Sequence, residues 1–415
     1  MEEKLAKIKF VVPVTVAVVL FCVMSLVIPP LLQGSPHEVP FAIVSLDEGV
    51  GSGKDSVNIG DTLVDRFTGN GSDPNSESSS LLSGSDGENS SSDGYSSSDS
   101  DSSSSSSSTI SSDALRWTQL DSEQQARDAL ARNEYYGAII ISKDFTSSML
   151  YDKMGIGSTP SVKVLLNRGK NPTVAATVKN TVSELLLGYG VGTEIEMVND
   201  SDVGGGTLGP TLTVPMTVLS LTIMTLISSI LLSTLVYPRR RATRAERMKA
   251  IGQQLLYAAA LSALIALLAL VIQMAIGGLT LPFGQEFSFL WFSCFCLIVA
   301  IVGLCDLSLV VGAIISAATF GLGMPTAVLA VEMLPTFYAT WIYPWAPQRF
   351  MGNSLRLIIY QGLAPQAGDM AQLLITAGVG IIAFIVAVVL PKRPQQQNEQ
   401  SAEAEPESSP AMDAA

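Results

Sequence analysis

Long apolar segments alternate with polar ones along this 415-residue chain. A helix needs about 20 apolar residues to cross the hydrocarbon core of a bilayer. The first such segment is "FVVPVTVAVVLFCVMSLVIPPLL", at about 10–32. Five more follow a long polar gap, at about 211–237, 255–281, 287–305, 307–334 and 370–390. The pattern predicts a polytopic α-helical membrane protein with about six transmembrane helices.

The first apolar segment has two interpretations. A secretory signal peptide would have a shorter apolar core and would end in small residues at a cleavage site. This segment ends in Pro29-Pro30 without an A-x-A pattern, so we interpret it as an uncleaved anchor. Residues 1–9 then form a short N-terminus in front of the first transmembrane helix.

Positive charge near the ends of the segments predicts the orientation. The N-terminus carries three lysines, the loop 238–254 reads "PRRRATRAERMKAIGQQ", and the last segment is followed by Lys392-Arg393. We therefore expect a multi-pass protein of the plasma membrane with both termini and the basic loop 238–254 in the cytoplasm. Residues 33–210 would lie outside the cell, and 391–415 would form a disordered cytoplasmic tail.

The polar region 33–210 shows alternating strand and helix signals. Strands are predicted at 40–46, 116–121, 136–142 and 160–167, and helices after Ser122, at 143–154 and at 171–190. This pattern predicts an extracytoplasmic α/β domain between the first and second transmembrane helices. The Ser-rich insert 70–112 cannot bury apolar area and is expected to be disordered. A solvated spacer is the favoured interpretation, and a sugar-bearing or cell-wall-spanning segment is the alternative.

Composition argues against several classes of function. The chain is 47% hydrophobic and 15% charged, with a net charge of −13, which does not suggest a nucleic-acid partner. Its single histidine and its four cysteines, all in apolar stretches, leave no usual set of ligands for a metal and no histidine-based catalytic site. We expect no enzyme activity, cofactor or metal.

The stretch "EGVGSGKD" at 48–55 resembles a phosphate-binding P-loop only in part. Glu48 stands where the first glycine is required, and Asp55 where the Mg²⁺-binding hydroxyl is required. A carboxylate at Glu48 would repel phosphate. We interpret the stretch as a solvated turn outside the cell, so any use of ATP would need another chain.

Few polar side chains fall within the apolar segments. Asp306 and Glu332 lie near segment ends, where exposure to water is expected rather than a proton relay. Gln273, inside the third segment, is expected to form a hydrogen bond between helices.

The fifth segment is interrupted. Gly323 and Pro325 break its helical pattern, which is expected where a helix lines a cavity or packs on protein. Gly323, Pro325, Glu332 and Trp341 are candidate pathway or gate residues. Trp341 belongs to an aromatic run that also fits an interfacial belt.

The basic loop carries an apolar stripe with helical spacing. Met248, Ile251 and Leu255 recur at i, i+3 and i+7, and a helix here would offer Arg244 and Arg247 to a partner chain. We interpret these five residues as a candidate ATPase-coupling segment. The alternative is a topology signal that contacts anionic lipid.

The arrangement resembles the ABC-2 type export permeases, in particular the branch of the YhgE/phage infection protein (Pip) family. The strand-and-turn block at 39–67, with Asp47, Gly49 and Gly60, is similar to the opening of that branch. A second block at 115–150 and the stretch 332–362 before the last span are also similar. The resemblance implies a permease subunit without an ATPase of its own, paired as a homodimer or heterodimer with another permease and powered by separate ATPase subunits. The cargo would be amphipathic or lipid-like.

The rival hypothesis is a membrane-anchored surface receptor or secretion-accessory scaffold that transports nothing. A mere anchor would need neither an interrupted span nor a basic interfacial helix. A gradient-driven transporter is weakened by the scarcity of carboxylates in the middle of the spans.

Overall fold

The structure is a computed structural model of the whole chain, and it describes residues 37–51, 56–69, 115–157, 159–200, 209–238, 243–275 and 279–390. The predicted first span 10–32, the Ser-rich insert 70–112 and the tail 391–415 lie outside the described residues.

The α/β domain contains a five-stranded sheet in the order β2-β1-β3-β4-β5. The first three of these strands run parallel, β3 and β4 pair antiparallel, and β4 and β5 pair parallel. Its elements are β1 Val39–Ser45, α1 Ile59–Thr68, β2 Leu115–Gln119, α2 Glu123–Ala131, β3 Gly137–Ile141, α3 Phe145–Lys153, β4 Ser161–Asn167, α4 Pro172–Gly188 and β5 Gly192–Val198. The four predicted strands are present, and β5 is a fifth that the sequence analysis did not predict.

Local signals explain where the helices of this domain begin. The side chain of Asn58 accepts the backbone N–H of Asp61 at the start of α1, and Ser122 accepts that of Gln125 at the start of α2. At α4, Asn171 caps the helix and Pro172 follows at its first position. Such caps satisfy backbone donors that have no partner within a helix.

Each face of the sheet has its own core. On one face, strand residues such as Phe41 and Ile139 pack with apolar residues of α1, α3 and α4. On the other face, Val44 and Leu165 pack with Leu130 of α2. This second core is smaller, so the sheet is covered mainly from the first side.

Five helices among the described residues are long and apolar enough to cross a membrane. Within the helical bundle, α7 is the central helix, packed against α5, α6, α8 and α10. The close approach of α7 and α10 depends on glycine, because a Cβ added to Gly303 would lie 2.7 Å from the Cα of Gly380. The bundle elements are α5 Gly209–Leu235, α6 Arg244–Ala275, α7 Phe283–Leu307, α8 Leu309–Val328, α9 Pro347–Gln361 and α10 Ala367–Val389.

The structure corrects several predicted boundaries. Most of the predicted basic loop 238–254 is helical, because α6 begins at Arg244 and continues into the bundle. The predicted fifth span 307–334 ends early, at Val328. A short 3-10 turn at Val331–Met333 and a π-helical turn at Tyr338–Ile342 follow it. The amphipathic helix α9, between the last two spans, was not predicted.

The bundle has two distinct ends. At the domain end, Gln361 at the end of α9 donates a hydrogen bond of 2.8 Å to Asn133 of the α/β domain. At the basic end, the start of α6 contacts the end of α10 through Arg247, which donates to the carbonyl of Val388. The α/β domain and the basic segment therefore lie at opposite ends of the helices.

Candidate functional site at the domain end and the basic end of the bundle

The segment 329–346, between α8 and α9, packs into the main core of the α/β domain. Its buried members belong to the same apolar cluster as Phe41 and Ile139 of the sheet. They are Leu329, Ala330, Met333, Leu334, Tyr338, Ile342 and Ala346. Membrane helices and α/β domain are thus joined by a shared hydrophobic core in addition to polar contacts.

Glu332 lies in this junction. One of its carboxylate oxygens accepts a hydrogen bond of 2.8 Å from the Tyr136 hydroxyl, and its backbone carbonyl accepts the backbone N–H of His37 at 2.8 Å. Burial raises the pKa of Tyr136, and the charge of Glu332 adds to this effect. Tyr136 therefore stays protonated and can keep donating. Glu332 connects the domain to the bundle, a role that the sequence analysis did not foresee.

Gly323 and Pro325 form the last turns of α8 against α9. The buried amide of Gln348 donates to the carbonyl of Phe320 at 3.3 Å, and a Cβ at Gly323 would collide with its side-chain oxygen. Thr326 donates to the carbonyl of Gly323 at 2.6 Å. The predicted break at these residues is therefore absent, because α8 continues through both and ends three residues after Pro325, and the glycine instead allows a close contact with α9.

Two cations lie where α9 meets the α/β domain. Arg356 of α9, 6% exposed, donates to the carbonyl of Ala327 at 3.4 Å and to Asn353 Oδ1 at 2.6 Å. A cation near carbonyls at the C-terminus of a helix is favourable because the helix dipole is negative there. Lys170 of the α/β domain donates to the carbonyl of Glu134 at 2.8 Å. Burial lowers the pKa of both cations.

Trp341 lies on the outer surface of the segment. Its side chain is 68% exposed, beside Phe337 and Trp345, which are 53% and 44% exposed. This placement agrees with the interfacial aromatic belt that was one of its two predicted interpretations.

At the basic end, the five predicted coupling residues fall on two faces of α6. Arg247 and Ile251 are buried, and Leu255 is half-buried, whereas Arg244 and Met248 are exposed. The predicted apolar stripe is therefore divided between the bundle and the surface.

Arg247 faces the bundle rather than a partner. Its guanidinium donates to the carbonyls of Val388 and Leu390, at 3.1 and 2.8 Å. It thereby binds carbonyls at the C-terminus of α10, where a cation is favourable. Of the two arginines predicted to be offered to a partner, only Arg244 is exposed.

Asp306 is fully buried at the basic end, which overturns the expectation that it is exposed. Its Oδ1 accepts the side-chain amide of Gln254 at 3.0 Å. Gln254 comes from α6, 52 residues earlier, so no local pattern around Asp306 indicates this contact. Near the domain end, Gln273 donates to Thr217 of α5 at 2.6 Å, and this confirms the predicted hydrogen bond between helices.

The turn that was compared with a P-loop follows β1. The buried carboxylate of Asp47 accepts the backbone N–H groups of Gly49, Gly60 and Thr146, at 3.3, 3.0 and 3.1 Å, and also the hydroxyl of Thr146. A Cβ at Gly60 would lie 2.6 Å from the Cβ of Asp47, so the residue must be glycine for α1 to start here. Asp47, Gly49 and Gly60 are thus parts of one structural turn. Residues 52–55 of the compared stretch lie outside the described residues.

A family model described as "ABC-2 family transporter protein" matches residues 9–389. The chain belongs to the ABC-2 transporter family. Searches among curated proteins and among solved structures found no match. As a family member, the chain is a membrane component of a transporter, of a kind that normally works in the lipid bilayer with a separate ATPase and is generally not catalytic itself. The several apolar helices of the described region agree with a multi-pass membrane protein.

Sequence reasoning missed the polar contacts at the domain end. Lys170, Asn133 and Gln361 lie in unremarkable turns or at a helix end, and only the fold brings them together. Arg356 lies in the stretch 332–362 that carries part of the family resemblance. A single arginine in "SLRLIIY" is a usable signal, because an isolated charge among apolar residues needs a specific partner.

Proposed function

We propose that this chain is the permease subunit of an exporter that moves an amphipathic or lipid-like cargo out of the cell, powered by a separate ATPase chain. The observation that carries the proposal is the family match over 9–389, together with the length of α6, whose 32 residues exceed what a bilayer core requires. The subunit would act in the plasma membrane as a homodimer or heterodimer of permeases. Its termini and basic end would be cytoplasmic, and its α/β domain would be outside.

The length of α6 supports a coupling role. Its 32 residues extend about 48 Å at 1.5 Å per residue, whereas the hydrocarbon core is about 30 Å thick. All its Arg, Lys, Asp and Glu residues lie within the first six positions, so the excess length lies at the basic end. A rigid helix that continues from there into the bundle can transmit a push from an attached ATPase to the transmembrane region.

The exposed face of this helix is the proposed docking surface. Arg244, Met248 and Lys249 are exposed and spaced at i, i+4 and i+5, whereas Arg247 faces α10. The face offers two positive charges flanking an apolar side chain. We expect the partner surface to carry acidic and apolar groups.

Within the ABC-2 family, we propose that the chain belongs to the YhgE/Pip-like branch. Its support is that Asp47, Gly49 and Gly60, the residues that carry the resemblance in the first block, form one hydrogen-bonded turn. Residues that depend on one another structurally are a more specific similarity than three separate matches.

The test is co-purification of an ATPase. The full chain is purified from its native membrane in mild detergent, and its partners are identified by mass spectrometry. We expect an ATPase with the wild type, and a loss of it in the double variant Arg244→Glu/Lys249→Glu. Lys179→Glu, an exposed charge reversal in the α/β domain, is the matched control and should keep the ATPase.

Two results would count against the proposal. Wild-type protein that brings down no ATPase under conditions where the complex of a known ABC-2 exporter survives would favour the receptor or scaffold. An ATPase retained equally by the double variant would exclude the α6 face as the coupling surface.

A further inference from the structure

A cavity of about 140 Å³ opens where the α/β domain meets α9. This volume is well above the roughly 15 Å³ that one water molecule requires. Two cations and three amide side chains contribute to its wall: Lys170, Arg356, Asn133, Asn353 and Gln366. No carboxylate lines it, so the wall is positively charged.

The two cations have no counter-ion at contact distance. Among the described residues, no carboxylate oxygen lies within 4.0 Å of Arg356 or Lys170, and both bind neutral acceptors. Two carboxylates act from more than 4.0 Å away. Glu332 favours the charged form of Lys170, and Asp369 favours the charged form of Arg356. Lys170 is partly exposed, and its ammonium also lies 4.2 Å from the centre of the Tyr136 ring. Arg356 is the buried member of the pair, and a buried charge is normally paired because removing an ion from water is costly.

The arrangement of donors suits a phosphate group. A guanidinium presents several N–H donors in one plane and binds phosphate oxygens through two of them, and an ammonium adds a point charge. The amide nitrogens of Asn133 and Asn353 can donate as well, because the contacts described above use their Oδ1 atoms. The cavity has room for a headgroup but not for a whole amphipathic molecule, and Leu357 adds one apolar side chain to its wall.

We propose that this cavity binds the phosphate group of an anionic ligand, held between Lys170 and Arg356. The preferred source is the headgroup of an amphipathic molecule whose apolar part stays in the membrane, and free inorganic phosphate is the other. With the headgroup as source, the inference rests on the proposed function and specifies its cargo as an anionic, phosphate-bearing amphipath that reaches the domain end of the bundle.

The test measures binding to the purified full chain in a non-ionic detergent, without any ATPase. The probes are dioctanoyl phosphatidic acid, dioctanoylglycerol as its uncharged counterpart, and inorganic phosphate. We expect phosphatidic acid to bind about tenfold or more tightly than dioctanoylglycerol, and Lys170→Gln to remove that preference. Lys170→Arg, which keeps the charge, should retain it, and Lys179→Gln, an exposed lysine on α4, should have no effect.

The three probes distinguish a lipid headgroup from free phosphate as the ligand, and they test the binding site separately from the exporter proposal. Lysine-dependent binding of phosphatidic acid supports a headgroup site, and lysine-dependent binding of inorganic phosphate alone supports a phosphate site unrelated to cargo. The proposed site is refuted if the charged and uncharged lipids bind equally and phosphate does not bind. It is also refuted if Lys170→Gln leaves binding of the charged probes unchanged. The binding assay contains no ATPase, so it does not depend on the exporter proposal. If the chain binds phosphatidic acid but no ATPase co-purifies with it, the binding site is supported and the exporter proposal fails.

Discussion

Replacing Arg247 with methionine should destabilise the bundle without touching the docking face. The variant removes two hydrogen bonds from a cation to the carbonyls of Val388 and Leu390, at 3.1 and 2.8 Å. Hydrogen bonds to charged groups contribute about 1.5–3 kcal/mol each. Since water can reach the end of α10 once the guanidinium is gone, we expect a net loss of about 2–4 kcal/mol for Arg247→Met.

The assay is unfolding of the full chain by sodium dodecyl sulfate in mixed micelles, followed by circular dichroism. Methionine keeps the length and the helix propensity of the side chain, so the change reports mainly the lost contacts. Arg244→Met is the matched control, because Arg244 is exposed three residues earlier on the same helix. Its stability should stay within about 0.5 kcal/mol of the wild type, as for most surface substitutions.

The outcome also distinguishes structure from coupling. If Arg247→Met unfolds like the wild type but no longer co-purifies with an ATPase, the assignment of Arg247 to the bundle is refuted and the original expectation that it faces a partner is restored. Contacts of Arg247 within the bundle predict the opposite pattern, with reduced stability and an ATPase that still binds to the folded fraction.

Three further predictions concern other contacts. Asp47→Ala should leave buried backbone donors without acceptors and reduce hydrogen-exchange protection of β1, α1 and α3 by about 2–4 kcal/mol. The control Asp128→Ala, at an exposed position, should leave that protection unchanged. Protection that Asp47→Ala does not change would contradict the role of this turn. Gly323→Ala should reduce stability toward sodium dodecyl sulfate by about 1–3 kcal/mol, because the added Cβ collides with Gln348. Adding Gln348→Ala should recover part of the loss. A Gly323→Ala variant as stable as the wild type would show that α9 adjusts freely. Hydrogen bonds from Arg127 and then Lys163 lower the pKa of Glu196 to about 2. The ionised carboxylate therefore stabilises the fold at pH values above its pKa in the unfolded chain, about 4.3, and this stabilisation is lost as the pH falls toward 2. Glu196→Gln should thus cost less than about 1 kcal/mol at pH 6 by hydrogen exchange of β5, since the group is partly exposed, and the difference from the wild type should shrink below pH 4.5.

The spans could be predicted because the bilayer sets a length and a composition that few other elements share. Their boundaries could not, since the start of α6 carries charges that are typical of a loop. Nothing in hydropathy shows that a helix continues beyond the apolar segment or that Arg247 faces the bundle. The helix α9 was missed for the converse reason. Gln348, Ser354 and Arg356 make it look like a surface segment, but these polar groups are buried against α8, the start of α10 and the α/β domain.

The candidate site depends on long-range contacts, and these limited what the sequence could show. Glu332 and Tyr136 are 196 residues apart, and Gln361 and Asn133 are 228 residues apart. Each residue has an ordinary local context. In contrast, Gln273 was placed correctly because an amide inside an apolar helix has few ways to satisfy its hydrogen bonds other than a neighbouring helix.

The shared core between the sheet and the segment 329–346 has a practical consequence for anyone who wishes to isolate the α/β domain. A fragment cut at residue 200 would present bare apolar surface where Leu334, Tyr338 and Ile342 had been, and it would tend to self-associate in solution. A soluble version for antigen production or crystallisation should carry residues 329–346 through a linker. Chimaeras that exchange this domain between relatives should exchange that segment with it.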